Sequence, residues 1–213
     1  MRPVADNGLL TMTLVLWVIL ARSIEEKVYW VEQRNLVVLS ISGSLRKQST
    51  NSRILSSIEG MMPIGVECRI YDGLASLPHF SPDLDIDDIG PHEEVVEWRE
   101  QLRSADAIII CTPEYARGVP GSLKNALDWV VSSGEFMDMP TAVISASPHV
   151  EGGATALASL ITTLKMMSAA IPDEATLAVP FATKKIGPDG SIIDMDTLSS
   201  LGNLVRALIQ SLR

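Results

Sequence analysis

Residues 107–129 have the sequence AIIICTPEYARGVPGSLKNALDW, which is the most informative part of the chain. The continuous apolar run at 107–111 predicts a buried strand. The strand ends in the stiff turn Thr112-Pro113-Glu114-Tyr115, and a loop rich in glycine and proline leads from there into a helix. In open α/β sheets, ligands bind at the carboxyl ends of parallel strands, where such loops lie. The stretch therefore predicts a strand–loop–helix unit with a ligand site on its loop.

Strand and helix patterns alternate along the rest of the chain. Strands are predicted at 36–41, 66–71, 107–111, 141–145 and 175–180, and helices at 51–61, from 91, and at 120–132, 154–169 and 197–212. Such alternation predicts a parallel sheet with helices on both faces. Five strands fit a flavodoxin-like three-layer α/β sandwich with strand order 2-1-3-4-5 and a ligand at its switch point.

The composition fits a globular domain and excludes some partners. The chain has 213 residues, 46% of them hydrophobic, and a formal net charge of −9 at pH 7. Because this charge repels polyanions, it argues against nucleic acid and against an anionic membrane as partners. Cys68 and Cys111 lie in apolar runs and are interpreted as buried thiols in a reducing compartment, which predicts a cytoplasmic location. The scattered histidines have no metal-ligand spacing.

Residues 1–34 are interpreted as an N-terminal extension, and residues 35–213 as the α/β domain. The extension contains an almost unbroken apolar run at 9–21, which is shorter than the ~20 residues that cross a bilayer. Its leading region carries only Arg2, offset by Asp6, and lacks the clear features of a signal peptide. Three interpretations stay open: an appended or wrongly assigned start, an accessory helix that packs on the domain or on a partner, and a targeting or anchoring segment.

The loop at 43–51, between the first strand and the first helix, is predicted to bind phosphate. Arg46 supplies a cationic fork of donors, and the helix supplies free N–H groups and the positive end of its dipole. Further hydroxyl and amide donors come from Ser44, Ser49, Thr50 and Asn51. The residues alone leave an alternative open, in which Ser49 or Asn51 caps the helix in a plain turn.

The loop at 113–118 is predicted to contact a planar ring. Pro113 stiffens the backbone, so the remaining amides point outward, and Tyr115 offers a flat apolar face. Gly118 permits the close approach of a ring or another backbone. In the alternative interpretation, Tyr115 packs against the protein, and Glu114 lies on the surface or caps a turn.

A third loop, at 145–153, follows the fourth strand. Ser145 and Gly152 are predicted to form part of a backbone wall beside the ligand, although serine and glycine are common in any strand-to-helix connection. His149 is interpreted as a polar surface residue rather than a catalytic acid. On the helix after the second loop, Lys124 and Asp128 are spaced to form an ion pair, and this helix is interpreted as structural.

Residues 35–177 resemble the NADPH-dependent FMN reductase family. The first loop matches the family pattern Gly-Ser-Leu-Arg-x-x-Ser-x-Asn at every fixed position, and residues 113–129 match its second signature closely. The resemblance implies phosphate contacts from Ser44, Arg46, Ser49 and Asn51. The predicted cofactor-binding residues are Ser44, Arg46, Ser49, Thr50, Asn51, Pro113, Glu114, Tyr115, Ala116, Gly118, Ser145 and Gly152.

The chain departs from the family within the second loop. Many members read Glu-Tyr-Asn-x-Ser where this chain has Glu114-Tyr115-Ala116-Arg117-Gly118. Ala116 and Gly118 are therefore expected to contact the flavin through their backbone only. Arg117 is expected either to meet the phosphates of NADPH or to be a solvated charge.

The resemblance also implies a function. A reductase of this family is expected to pass hydride from NADPH or NADH to FMN, and then to reduce an acceptor in a ping-pong scheme without a catalytic protein side chain or metal. The implied acceptors are quinones, azo dyes, nitro compounds, metal oxyanions and free flavin, and the implied assembly is a homodimer or homotetramer. Two alternatives stay open: a flavodoxin-like electron carrier and a non-catalytic flavin sensor.

Overall fold

The structure, a computed structural model, describes residues 35–86 and 92–212. The strands are β1 (Leu36–Ser42), β2 (Val66–Tyr71), β3 (Ala107–Thr112), β4 (Thr141–Ala146) and β5 (Thr176–Val179). The main helices are α1 (Thr50–Glu59), α2 (Glu93–Arg103), α3 (Gly121–Asp128), α4 (Ala154–Met166) and α5 (Met195–Gln210). The predicted alternation is confirmed, while the interpretation of residues 1–34 and the predicted helix start at 91 fall outside the described residues.

The five strands form one parallel sheet in the order β2-β1-β3-β4-β5. This is the predicted flavodoxin-like order, and its switch point lies between β1 and β3. Ser42 at the end of β1 pairs with Cys111 of β3, and Thr112 at the end of β3 pairs with Ser145 of β4. The loops that follow β1, β3 and β4 therefore leave the sheet at the same edge.

Two apolar layers hold the helices against the sheet. On one face, α2, α3 and α4 contribute buried side chains such as Trp98, Leu123 and Leu160. On the other face, α1 and α5 contribute residues such as Ile54 and Leu204. Each large apolar side chain that is fully buried in this way contributes roughly 1.5–3 kcal/mol of transfer free energy. The predicted three-layer sandwich is confirmed.

Helix α3 ends at Asp128, four residues before the predicted end at 132. The Arg99 guanidinium binds the Trp129 carbonyl through Nε at 3.2 Å and Nη2 at 2.7 Å, so that carbonyl is engaged outside the helix. At the C-terminal end of the helix, the Val130 N–H donates to the carbonyl of Leu127, three residues earlier, rather than to the residue four positions earlier. This shorter hydrogen bond tightens the last turn. The predicted pair of Lys124 with Asp128 is confirmed.

The structural interpretation of α3 is supported by its contacts with the segment before α2. Asn125 Oδ1 accepts the backbone N–H of Phe80 at 2.8 Å, and Asn125 Nδ2 donates to the Pro78 carbonyl at 2.9 Å.

Cys111 is buried as predicted, whereas Cys68 is only half-buried because it lies on the edge strand β2. Within residues 35–86 and 92–212, no helix is long and apolar enough to span a membrane.

Candidate active site

The first two predicted loops begin side by side at the switch point. The Gly43 N–H donates to the Cys111 carbonyl at 2.8 Å. A Cβ at Gly43 would lie 3.0 Å from Thr112 Oγ1 and 3.1 Å from Leu123 Cδ2, closer than side-chain atoms normally approach. Glycine at this position thus lets the loop after β1 pack directly against the start of the loop after β3.

Ser49 is the N-cap of α1. Its Oγ accepts the Ser52 N–H at 3.0 Å, so the capping interpretation of Ser49 is confirmed. The backbone N–H groups of Thr50 and Asn51 have no hydrogen-bond partner among the residues that the structure describes. Two donors at the positive end of the helix dipole are therefore available to an anion.

The side chain of Asn51 faces inward. Its Oδ1 accepts a hydrogen bond from the Cys111 thiol at 3.2 Å, and both residues are buried. Burial raises the pKa of the Cys111 thiol, so the sulfur keeps its proton and acts as the donor. Asn51 therefore ties α1 to β3 through its side chain while its backbone N–H stays at the helix start.

Arg46 and Lys47 are exposed at the tip of the first loop. Neither forms an ion pair with any carboxylate in the described part of the chain. The buried Ser44 accepts the Arg46 N–H at 3.4 Å through its Oγ, which holds the loop in its turn. These residues border a cleft of about 540 Å³ that extends to Ile70 at the end of β2.

The second loop is a two-residue hairpin turn. Tyr115 and Gly118 exchange two backbone hydrogen bonds, at 2.9 and 3.0 Å. Ala116 has φ 49° and Arg117 has φ 64°, so both central residues are left-handed, as in a type I′ turn. Asparagine and glycine adopt this conformation far more readily than alanine or arginine, so the turn is strained. Tyr115 does not pack into the core, because 52% of its surface is exposed.

Glu114 connects the second loop to α4. Its Oε2 accepts the N–H of Ala156, in the first turn of that helix, at 3.1 Å. The capping alternative for Glu114 thus holds in a modified form, because the carboxylate caps a helix 42 residues away rather than its own turn. Pro113, just before it, is buried.

The third loop closes on the end of β5. Ser145 Oγ donates to the Gly152 carbonyl at 2.9 Å, which brings these two predicted residues together. Gly152 has φ 62°, and a Cβ there would lie 2.8 Å from the Pro180 backbone nitrogen, so only glycine fits without strain. His149 is exposed, as expected for a polar surface residue.

Arg117 also reaches the third loop. Its Nη1 lies 2.8 Å from Glu151 Oε2, and both side chains are largely exposed. Glu151, Cys111 and Ser52 also take part in this region and are not among the predicted site residues. Their partners lie 34, 60 and 3 residues away, and of these only the local capping pair has a recognisable signal in the sequence.

The model of the family described as "NADPH-dependent FMN reductase" matches residues 36–184. The chain belongs to the NADPH-dependent FMN reductase family. It is 31% identical to a quinone reductase of Escherichia coli K12, with 78% of this chain and 89% of that protein covered. It is 33% identical to an NAD(P)H-dependent FMN reductase of Pseudomonas aeruginosa, with 75% and 86% covered.

Among solved structures, the chain resembles FerB, a flavoenzyme NAD(P)H:(acceptor) oxidoreductase from Paracoccus denitrificans. The TM-score is 0.73 at 29% identity, and 83% of this chain and 97% of FerB are covered. The predicted family, the flavodoxin-like fold and the FMN and NAD(P)H requirement of an NADPH-dependent FMN reductase are confirmed.

The residues of the first loop fit the phosphate of FMN. A phosphate dianion needs several donors and a cation. This loop offers the N–H groups of Thr50 and Asn51 and the guanidinium of Arg46, which have no hydrogen-bond or ion-pair partner within 35–86 and 92–212. The cradle is local, so the net charge of −9 does not oppose it. The chemistry of this donor set matches the cofactor that the family name requires.

Proposed function

We propose that the chain is a reductase that takes hydride from NAD(P)H and reduces a quinone-type acceptor, with both substrates using one site in turn. The observation that carries the proposal is the convergence of three loops at the switch point. Among the residues that the structure describes, one of these loops holds a cation without an ion-pair partner and two N–H groups without an acceptor, and another exposes an aromatic face. The names of the relatives support a quinone as the acceptor.

The first loop holds the phosphate end of the cofactor in this proposal. The backbone N–H groups of Thr50 and Asn51 and the Arg46 guanidinium bind the phosphate oxygens. Ser44 fixes the loop by accepting the Arg46 N–H, and Ser49 fixes the helix start as its cap. This division of labour leaves few side chains to rearrange on binding, which lowers the entropic cost of binding.

The second and third loops hold the ring end. When bound, FMN supplies the group that accepts hydride from the nicotinamide and gives electrons to the acceptor. Pro113 and the type I′ turn keep the backbone amides of the second loop in place, and the Ser145–Gly152 contact keeps the third loop in place. Space beside Gly118 is open, so a planar substrate can approach next to Tyr115.

We further propose a cytoplasmic homodimer or homotetramer whose residues 1–34 are an extension outside the reductase domain. We propose that the contact between copies includes Met137, after α3, and Met166, at the end of α4, whose apolar side chains are exposed. Light scattering after gel filtration tests the assembly. Mass spectrometry of the native amino terminus tests whether residues 1–34 are present.

Steady-state kinetics test the proposed function. NADPH oxidation is measured at several fixed concentrations of a soluble benzoquinone, with the FMN-loaded full chain. Parallel double-reciprocal lines are expected, since one site serves both substrates in turn. Intersecting lines would reject the shared site. Slow oxidation that no quinone accelerates would favour a flavodoxin-like electron carrier or a flavin sensor.

A further inference from the structure

The ion pair of Arg117 with Glu151 joins two loops that flank the proposed flavin-ring site. The 2.8 Å contact connects the turn after β3 to the loop after β4, and the side chains are 69% and 58% exposed. An exposed pair of this kind contributes little to folding stability, because solvent and salt screen it. A contribution to folding stability therefore does not explain why an arginine occupies position 117.

The backbone holds Arg117 at the rim in an unfavourable conformation. Arg117 is the second central residue of the type I′ turn, with φ 64°, and the Tyr115–Gly118 hydrogen bonds close the turn around it. A β-carbon makes the left-handed region unfavourable, because it lies too close to the following carbonyl oxygen. Residues held in such strained conformations cluster at ligand-binding sites, where the strain is part of the mechanism.

Arg117 is also the sole Lys or Arg in the segments 113–118 and 145–153. Of the two acids in these segments, Glu114 is engaged with the Ala156 N–H. Glu151 thus remains as the counter-ion of Arg117, and both ends of the pair are open to solvent. A charged ligand at these two loops can therefore break the ion pair and bind to Arg117 in place of Glu151.

We propose that this pair binds the 2′ position of the adenosine ribose in the nicotinamide coenzyme and so distinguishes NADPH from NADH. Arg117 binds the 2′-phosphate of NADPH through its planar fork of donors, and Glu151 accepts the ribose hydroxyl of NADH. NADPH and NADH differ only at this position. An Arg for the phosphate and an acid for the hydroxyl are the two groups by which proteins distinguish these coenzymes.

The exchange of partners follows from charge. The 2′-phosphate carries more charge than the Glu151 carboxylate and offers three acceptor oxygens, so it displaces the carboxylate from Arg117. The uncharged ribose hydroxyl of NADH cannot displace the Glu151 carboxylate from Arg117. It instead donates a hydrogen bond to the other carboxylate oxygen of Glu151. The inference rests on the proposed function, because the coenzyme must lie across these loops with its nicotinamide at the flavin ring.

The test uses two adenosine fragments as probes, 2′,5′-ADP and 5′-AMP, titrated calorimetrically into the FMN-loaded full chain. Wild-type protein is expected to bind 2′,5′-ADP more tightly. Arg117→Ala should raise the Kd of 2′,5′-ADP about tenfold, the equivalent of one charge-assisted contact at an exposed site, and leave 5′-AMP within about twofold. Glu151→Gln removes the competing carboxylate and should lower the Kd of 2′,5′-ADP.

The matched control is Arg206→Ala on α5. Arg206 is exposed and donates to Asn203, so the variant makes the same change in net charge at a residue outside all three loops. This control should change neither affinity. A fall in affinity for 2′,5′-ADP equal to that of Arg117→Ala would assign the effect to net charge and overturn the proposal.

Kinetics provide a second readout. Arg117→Ala should raise the KM for NADPH with kcat unchanged and leave the KM for NADH within about twofold, because only the phosphate contact is lost. Equal effects on both coenzymes would place Arg117 at the shared pyrophosphate and overturn the inference, and so would no effect on either. Failure of the proposed function is distinct: wild-type protein would then oxidise neither NADPH nor NADH. Should Arg117→Ala fold poorly, two other variants test the pair. Arg117→Lys keeps the charge but lacks the planar fork of donors, so it should raise the KM for NADPH and not that for NADH. Glu151→Gln should lower the Kd of 2′,5′-ADP, and an unchanged Kd in that variant would overturn the inference.

Discussion

The carboxylate of Glu114 accepts the backbone N–H of Ala156 at 3.1 Å and so joins the loop after β3 to the first turn of α4. Helix N-termini favour negative charge, because their first N–H groups lack partners and the helix dipole is positive there. Glu114, which lies within the family signature, therefore has a structural role. It fixes the distance between the two loops that are proposed to enclose the flavin ring.

Removal of this cap should destabilise the protein. We expect Glu114→Ala to lower the free energy of unfolding by about 1 kcal/mol, the usual cost of a lost N-terminal cap. Glu114→Gln keeps an acceptor oxygen and should lose less than half as much. Urea denaturation of both variants measures this, and an unchanged unfolding free energy in Glu114→Ala would show that the carboxylate does not cap α4.

Gly152 should tolerate no side chain. In Gly152→Ala the new Cβ would meet the Pro180 nitrogen at 2.8 Å and the Val179 carbonyl carbon at 2.9 Å, at a φ of 62°. Because all of these atoms belong to the backbone, we expect a loss of more than about 2 kcal/mol in unfolding free energy. The control is Gly202→Ala in the interior of α5, where a Cβ meets nothing within 4 Å. That variant should gain up to about 1 kcal/mol.

Asp194 should make the stability depend on pH in the acidic range. Hydrogen bonds from the Thr197 hydroxyl and N–H and from Lys185 lower the pKa of this carboxyl, which is the N-cap of α5. A lowered pKa contributes stability that is present above the ordinary carboxyl pKa of about 4 and is lost as pH falls through the folded-state value. Wild-type protein should therefore lose more stability between about pH 5 and pH 2 than Asp194→Asn does.

Denaturant titrations at a series of pH values measure this difference. Glu100→Gln, at an exposed position on α2, is the control for removal of one carboxylate. Its stability should fall with acid as steeply as that of the wild type. Parallel curves for the wild type and Asp194→Asn would mean that the cap carries no charge-dependent stabilisation.

Arg46→Ala should weaken the binding of FMN. The loss of one charge-assisted contact to phosphate corresponds to about 2 kcal/mol, or roughly a thirtyfold rise in Kd. Titration of apoprotein with FMN, followed by flavin fluorescence, gives the constant. Arg206→Ala is again the matched control and should bind FMN as the wild type does. Unchanged FMN affinity in Arg46→Ala would reject Arg46 as a phosphate contact.

The layers of the fold could be predicted from the sequence because they depend on local patterns. The fully buried strands β3 and β4 are nearly continuous apolar runs, and their bounds lie within one residue of the prediction. The end of α3 could not be predicted, because Arg99 on another helix binds the Trp129 carbonyl. That contact depends on the packing of α2 against α3.

In the candidate site, too, the local features could be predicted from the sequence, and those that depend on distant residues could not. The capping of α1 by Ser49 is local and was one of the two interpretations of that residue. The turn at Ala116 and Arg117 gave no signal, since neither residue favours a left-handed backbone. The inward-facing side chain of Asn51 depends on a thiol 60 residues away. The roles of the predicted site residues in flavin binding remain predictions.

Hydride transfer from NADPH to the bound flavin is tested in an anaerobic mixture of FMN-loaded protein with one equivalent of NADPH. The absorbance of the oxidised flavin is followed over time. We expect rapid bleaching, followed by full recovery of the absorbance when a benzoquinone is added. Flavin that stays oxidised with both NADPH and NADH would contradict it, because the protein would then bind the cofactor without accepting hydride from either coenzyme.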